Sequence, residues 1–199
     1  MSAPKTSDEP ICFPSVEQLD HGAWDSDRAI HEFRTFLRDS DSDGLIAVMR
    51  AFDRLNCWQR GFEQLLLSPI PDERLGTDVL SFWHEHGFHI ADSLKADRII
   101  VDVLRRFLPP YTGIGLTLYR GELELRHKES SYGISWTCNL HTARVFASRR
   151  EQLEGPGVVL KMQTSPEMIV AAPTDHSHYL GEDEYVVDTR LVRAVCVIA

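Results

Sequence analysis

Three short segments in the second half of the chain carry polar groups where strand alternation otherwise sets apolar ones. In Gly113-Ile-Gly-Leu-Thr-Leu-Tyr-Arg-Gly121, a period of two puts Ile114, Leu116, Leu118 and Arg120 on one side. A guanidinium closing an inward apolar stripe needs an anion or several acceptors, because an unpaired buried charge costs several kcal/mol. An anion site and a structural ion pair with a glutamate meet that need equally well. In Tyr132-Gly-Ile-Ser-Trp-Thr137, Ser135 and Thr137 share one face and Ile134 and Trp136 the other. Two hydroxyls at i and i+2 make a small donor and acceptor shelf; the plainer account of Thr137 is that it begins or caps the helix that follows. In Gly181-Glu-Asp-Glu-Tyr-Val-Val187, Glu182 and Glu184 stand two apart at the start of a strand and point the same way. Their proximity raises the pKa of at least one, which suits acid–base work or stabilisation of a cation. A solvated acidic turn is the commoner fate of Glu-Asp-Glu taken alone.

In this order the segments resemble the R-S-E class of ADP-ribosyltransferases. The resemblance rests on Tyr119-Arg120-Gly121, on Ser135-Trp136-Thr137 with Ala143, Phe146 and Ala147 on a following helix, and on Glu182-x-Glu184 entering a strand. It covers roughly residues 114 to 199, with Trp136 and Thr137 standing where the family has a Thr and a second Ser. It implies a split β-sandwich core preceded by helices, with NAD as co-substrate and no metal. Arg120 would grip NAD near a phosphate, and the Gly121 backbone would lie close to the nicotinamide end. Ser135 would orient the catalytic glutamate or the nicotinamide ribose, with Trp136 and Thr137 completing that strand of the NAD site. Glu184 would hold the ribose 2′-hydroxyl and stabilise the cation formed as nicotinamide leaves, a task for a carboxylate already in place. Glu182 would face the acceptor and orient or deprotonate it; in the family a glutamate there tends to accompany arginine acceptors. Asp175, His176, His178 and Tyr179 occupy the loop where relatives carry acceptor-recognition residues. The implied activity is mono-ADP-ribosyl transfer to a macromolecule, a protein arginine foremost. Two alternatives stand beside it: NAD hydrolysis at the same site, and a non-catalytic interaction protein of the same fold whose helical half docks a partner. Glu182 favours transfer, since hydrolysis needs no acceptor-facing second carboxylate.

The elements that must position these residues divide the chain into a loose lead-in at 1–22, a helical region at 23–110 and the α/β core at 111–199. Ile30, Phe33 and Leu37 share a face of one helix, and Leu45, Val48, Met49, Phe52 and Leu55 a face of the next. Asp41-Ser42-Asp43 offers cap oxygens between them, and Ser68-Pro69-Ile70-Pro71 breaks the following stretch. A further helix sets Val79, Phe82, Trp83 and His86 inward and is predicted to end near Gly87. A last one carries Ile99, Ile100, Val103, Leu104 and Phe107 to Pro109-Pro110. Short β-branched and aromatic runs follow at 114–119, 133–137, 158–163, 168–172, 185–188 and 192–198, with one helix over 140–149. The fold class is α+β.

Composition narrows the setting. The chain has 199 residues, 43% of them hydrophobic, and a formal net charge of −9, which opposes a broad nucleic-acid or anionic-membrane surface. No apolar run approaches the ~20 residues of a membrane span, and the first ten residues lack the apolar core of a secretory signal. Cys12, Cys57, Cys138 and Cys196 lie far apart, as suits reduced thiols in a cytoplasm. His84, His86, His89 and Glu85 could suggest a metal, but i and i+2 do not share a helix face, and a satisfied core His86 is the better account. Trp24, Trp58 and Trp83 read as core. Arg144, Arg149 and Arg150 read as a solvated helix face, with an NAD phosphate contact as the lesser option. Charge is uneven along the second half. Residues 120–150 hold six basic against three acidic side chains, and residues 175–188 hold five acidic and none basic. A positive donor side and an acidic acceptor side suit a cationic target better than a nucleic acid.

Overall fold

The computed structural model describes residues 24–68, 73–94, 96–173, 175–179 and 181–198. The lead-in at 1–22 and the prolines at 69 and 71 lie outside them. Helices α1 (Ser26–Asp39) and α2 (Ser42–Leu55) bury the expected stripes, Ala29, Ile30, Phe33 and Leu37 on the first and Leu45, Val48, Met49, Ala51 and Phe52 on the second. Asp25 and Asp41 cap them: the Arg28 N–H donates to Asp25 at 2.8 Å and the Gly44 N–H to Asp41 at 3.0 Å. After α3 (Trp58–Leu67), α4 (Glu73–Leu94) runs straight through Gly87 instead of ending there. A glycine inside a helix costs only about 1 kcal/mol, and the Trp83 ring packs directly over this one. α5 (Asp97–Phe107) buries Ile100, Val101, Val103, Leu104 and Phe107 and stops ahead of the proline pair.

Six strands then form one antiparallel sheet in the order β4-β5-β2-β1-β3-β6. They are β1 (Thr117–Leu123), β2 (Ser135–Thr137), β3 (Gly157–Gln163), β4 (Ile169–Ala171), β5 (Glu184–Val187) and β6 (Cys196–Ile198), with α6 (Glu124–Lys128), α7 (Leu140–Leu153) and α8 (Asp175–Tyr179) between them. The architecture is α+β. β1 starts three residues later than predicted, because the Leu116 N–H goes to the Thr164 hydroxyl at 2.9 Å before the ladder begins. Ile114 consequently stands 75% exposed, so the apolar stripe leading to Arg120 is shorter than alternation suggested. β1 and β3 pair from Thr117↔Gln163 to Leu123↔Gly157, whereas β1 and β2 meet at Tyr119↔Thr137 alone. The sheet is thus two three-stranded halves joined at one pair.

Each face of the sheet has its own core. Ile134, Val170, Ala171 and Val186 join the five helices in the larger one; Leu118, Trp136, Leu160, Met162, Met168 and Val187 make the smaller. Ile134 and Trp136, predicted to share a face, enter different cores because the chain bends at Ile134 before β2 begins. α7 lies against β1 and β3 with its backbone on Gly121, where a Cβ would stand 2.3 Å from the Ala147 nitrogen and 2.4 Å from the Ala143 oxygen. Charges sew the helical half to the sheet: Arg190 bridges Asp188 and Asp102 of α5, each at 2.7–2.8 Å, and Arg105 of α5 reaches Asp188 at 3.3 Å.

Candidate functional site

Where β1 and β2 part, a cavity of about 690 Å³ opens between the sheet and α4. Arg120 enters it from the far side of the strand. Pairing puts Arg120 opposite Leu160, on the Leu118 face, and its side chain crosses the opening to donate from Nη1 to the Ser135 carbonyl at 2.5 Å. Gly133 makes room for the guanidinium: a Cβ there would lie 2.4 Å from Arg120 Nη2. Arg120 Nε donates to Glu122 Oε2 at 2.9 Å. A glutamate is thus the ion-pair partner observed for this arginine, and the paired Arg120 also lines the cavity.

Glu122, which the sequence reading passed over, is fully buried and anchors three arginines. Arg126 and Arg150 stand 3.8 Å from its Oε1, and both also line the cavity. Burial alone pushes the Glu122 carboxyl up. The charge of Arg120, the Leu123 N–H and the Arg120 hydrogen bond outweigh it and hold the group below the usual carboxylate range. Arg150 is correspondingly no solvated residue, its side chain being 18% exposed. Arg144 and Arg149 are exposed as predicted, Arg149 resting 5.8 Å from the Phe146 ring. Asp97, at the start of α5, closes this end, its pKa raised by burial against the opposing pull of Arg120 and Arg126. The signal available for Glu122 was its position two residues after Arg120 on one strand face.

Glu184 begins β5 on the face it shares with Thr137, its partner across β2. Its carboxyl is shifted up, first by burial and further by the charge of Glu182. The Ser135 hydroxyl, the Trp83 indole N–H and the Arg120 charge pull the other way. Trp83 Nε1 donates to Glu184 Oε1 at 3.1 Å. The Glu184 N–H donates to the Ser177 hydroxyl at 2.8 Å, fixing the strand entrance. Repulsion within the Glu-x-Glu pair was expected to be the cause of a raised pKa; burial is the larger one. Glu182 precedes β5 yet lines the same cavity. Between the two, Asp183 takes a left-handed φ of 46° and pairs with His178 Nδ1 at 2.6 Å.

The remaining predicted residues divide. Gly121 lines the cavity, and its lack of a side chain is explained by the α7 backbone. Trp136 contributes to the wall, but its indole belongs to the smaller core and donates to the Gly133 carbonyl at 3.0 Å. Thr137 also lines the cavity, while its hydroxyl accepts from the Asn139 N–H at 3.0 Å, and Asn139 itself caps α7. Asp175, His178 and Tyr179 fall on the short helix α8, not on a loop, and Tyr179 is 86% exposed. Of the α4 histidines, His84 is the buried one and lines the cavity, whereas His86 is half-buried against the Phe82 ring with its pKa lowered by burial. Among the described residues no group of three or more His, Cys, Asp or Glu could hold a metal ion, and no helix is long and apolar enough to cross a membrane. The helical half was not predicted to touch the site, yet Trp83, His84, Glu85 and Gly87 of α4 all line it.

Comparison of the chain with family models, curated proteins and solved structures found no match.

Proposed function

We propose that this chain is a mono-ADP-ribosyltransferase that moves ADP-ribose from NAD to a macromolecular acceptor, an arginine side chain of a protein foremost. One observation carries the reading: Arg120, Ser135, Glu182 and Glu184, far apart in sequence, line a single cavity. The near division of the sheet at Tyr119↔Thr137 supports reading the β half as a split sandwich of the ADP-ribosyltransferase type. A volume of about 690 Å³ falls within the roughly 300–1,000 Å³ of small-molecule sites. Three arginines, set among Glu122, Glu154 and Asp97, and the pair Glu182 and Glu184 offer partners for a ligand with a pyrophosphate and a cationic ring.

In this reading Arg120, with Arg126 and Arg150 beside it, holds the phosphates, as a planar guanidinium does well. The bond between ribose C1′ and the nicotinamide nitrogen breaks, its electron pair leaving with the ring. The Glu184 carboxylate meets the positive charge that develops at C1′, already oriented by Ser135. Glu182 takes the proton lost by the acceptor nitrogen as that nitrogen bonds to C1′. A carboxylate-lined acceptor side disfavours a nucleic-acid target by sign. Cys57, Cys138 and Cys196 are free thiols, the last two exposed, which supports a cytoplasmic setting.

Incubating the purified protein with labelled NAD and a cell lysate tests this directly. Labelled protein supports transfer, free ADP-ribose alone replaces it with hydrolysis, and an untouched NAD pool leaves the interaction-protein alternative.

A further inference from the structure

The N–H of a buried indole is a single donor that must find an acceptor. Trp136 satisfies its own on a backbone carbonyl, a purely structural solution. Trp83, 3% exposed within the helical core, instead spends its donor on Glu184 Oε1, 101 residues away, at 3.1 Å. The ring is set for that contact by Gly87, one turn on, where a Cβ would stand 2.8 Å from indole Cε2. The Ser135 hydroxyl, on the sheet side, favours the ionised form of the same carboxylate.

We propose that Trp83 is a positioning residue for the reaction: its N–H clamps the Glu184 carboxylate from α4, so the helical half completes the active centre. This rests on the transferase reading, in which a carboxylate must be in place before charge develops. The charged and titratable groups facing Glu184 are Glu182 and Arg120 from the sheet half, with His84 and Glu85 of α4 lining the same cavity.

The test is Trp83→Phe, which keeps an aromatic ring and removes the donor. Loss of one hydrogen bond to a charged group predicts a fall in kcat for nicotinamide release of about ten- to a hundredfold, with the KM for NAD within about twofold. The acid limb of kcat moves to higher pH, because a bond that favours the ionised form is gone. Carboxyl ¹³C NMR of labelled protein shows the Glu184 titration moving the same way, a readout independent of turnover. Gly87→Ala keeps the indole but displaces it, and reproduces both effects in weaker form; it decides the matter if Trp83→Phe does not fold. A folded Trp83→Phe protein with wild-type kcat and an unmoved Glu184 titration overturns the proposal. If the wild-type protein releases no nicotinamide, the transferase reading fails instead. The Glu184 titration then judges the Trp83 clamp alone, an upward shift upholding it and an unmoved one overturning it.

Discussion

At the scale of single residues, the site sets two carboxylates, Glu122 fully buried and Glu184 half-buried, in opposite conditions. Burial and the charge of Glu182 raise the Glu184 pKa against the opposing pull of the Trp83 N–H, the Ser135 hydroxyl and the charge of Arg120, whereas Glu122 is over-supplied with cations. Because the folded state raises the Glu184 pKa, ionising it costs stability as pH climbs through the shifted value. Glu184→Gln is therefore expected to melt higher than wild type at pH 8 and level with it at pH 4, in paired thermal scans. The same change lowers the rate of nicotinamide release by about 10²–10³-fold, the range for removing one group aimed at developing charge. The wild-type acid limb should lie above the ordinary glutamate value of 4.5. Glu122 has the reverse sign. Its stabilisation is present above its unfolded pKa and disappears as pH falls through the depressed folded one. Glu122→Gln leaves Arg120, Arg126 and Arg150 without their shared anion and should cost about 3–5 kcal/mol at pH 7, the usual loss for a broken buried pair. Urea denaturation at pH 7 reads that difference, and on the transferase reading the variant should also bind NAD more weakly.

Elements differ in how plainly the sequence announces them. The α1, α2 and α5 stripes follow from periodicity because each helix needs one buried face, and Asp25 and Asp41 mark the starts of the first two. α4 misleads because Gly87 reads as a stop, while its real role, leaving space for the Trp83 ring, depends on a tertiary neighbour. The site shows the same division. Arg120, Ser135 and the Glu-x-Glu pair stand out as polar positions in apolar strands. Trp83 does not, because a tryptophan on a buried helix stripe looks the same whether or not it faces a cavity, and for a like reason Arg150, on an open face, carries a phosphate contact only as the lesser option. Gly121 was attributed to a ligand and turns out to answer to α7. Gly121→Ala would force α7 off β1, an overpacking strain of about 1–3 kcal/mol that lowers the urea midpoint even in the absence of NAD. A glycine present only for nicotinamide contact would leave that midpoint unchanged and weaken NAD binding alone, so the two measurements separate the roles.

Across the whole molecule, the catalytic proposal requires the helical half and the sheet to behave as one body, since Glu184 hydrogen-bonds across the seam between them. The larger core has the same requirement: Ile134, Val170, Ala171 and Val186 bury their side chains among the helices, so neither half can expose its partner face without losing apolar burial. Unfolding should accordingly be one transition, with tryptophan fluorescence and β1–β3 amide exchange reporting the same midpoint. The polar part of the seam is concentrated on Asp188, which is 4% exposed and meets Arg190 and Arg105. Burial pushes its carboxyl up, but the Arg190 hydrogen bonds and charges outweigh this and hold it below 3.8. Asp188→Asn keeps the shape and removes the charge. The expected cost is about 1 kcal/mol at pH 7, less than the full strength of charged hydrogen bonds because both arginines are more than a third exposed. A depressed carboxyl stabilises above its unfolded pKa and stops doing so as pH drops through the folded value. Wild type and Asp188→Asn should therefore differ at pH 7 and converge as pH falls through the depressed value, with a single transition in both. Two separate transitions in the variant would mean that the charges, and not the shared core, hold the halves together, and that the Trp83–Glu184 contact depends on them.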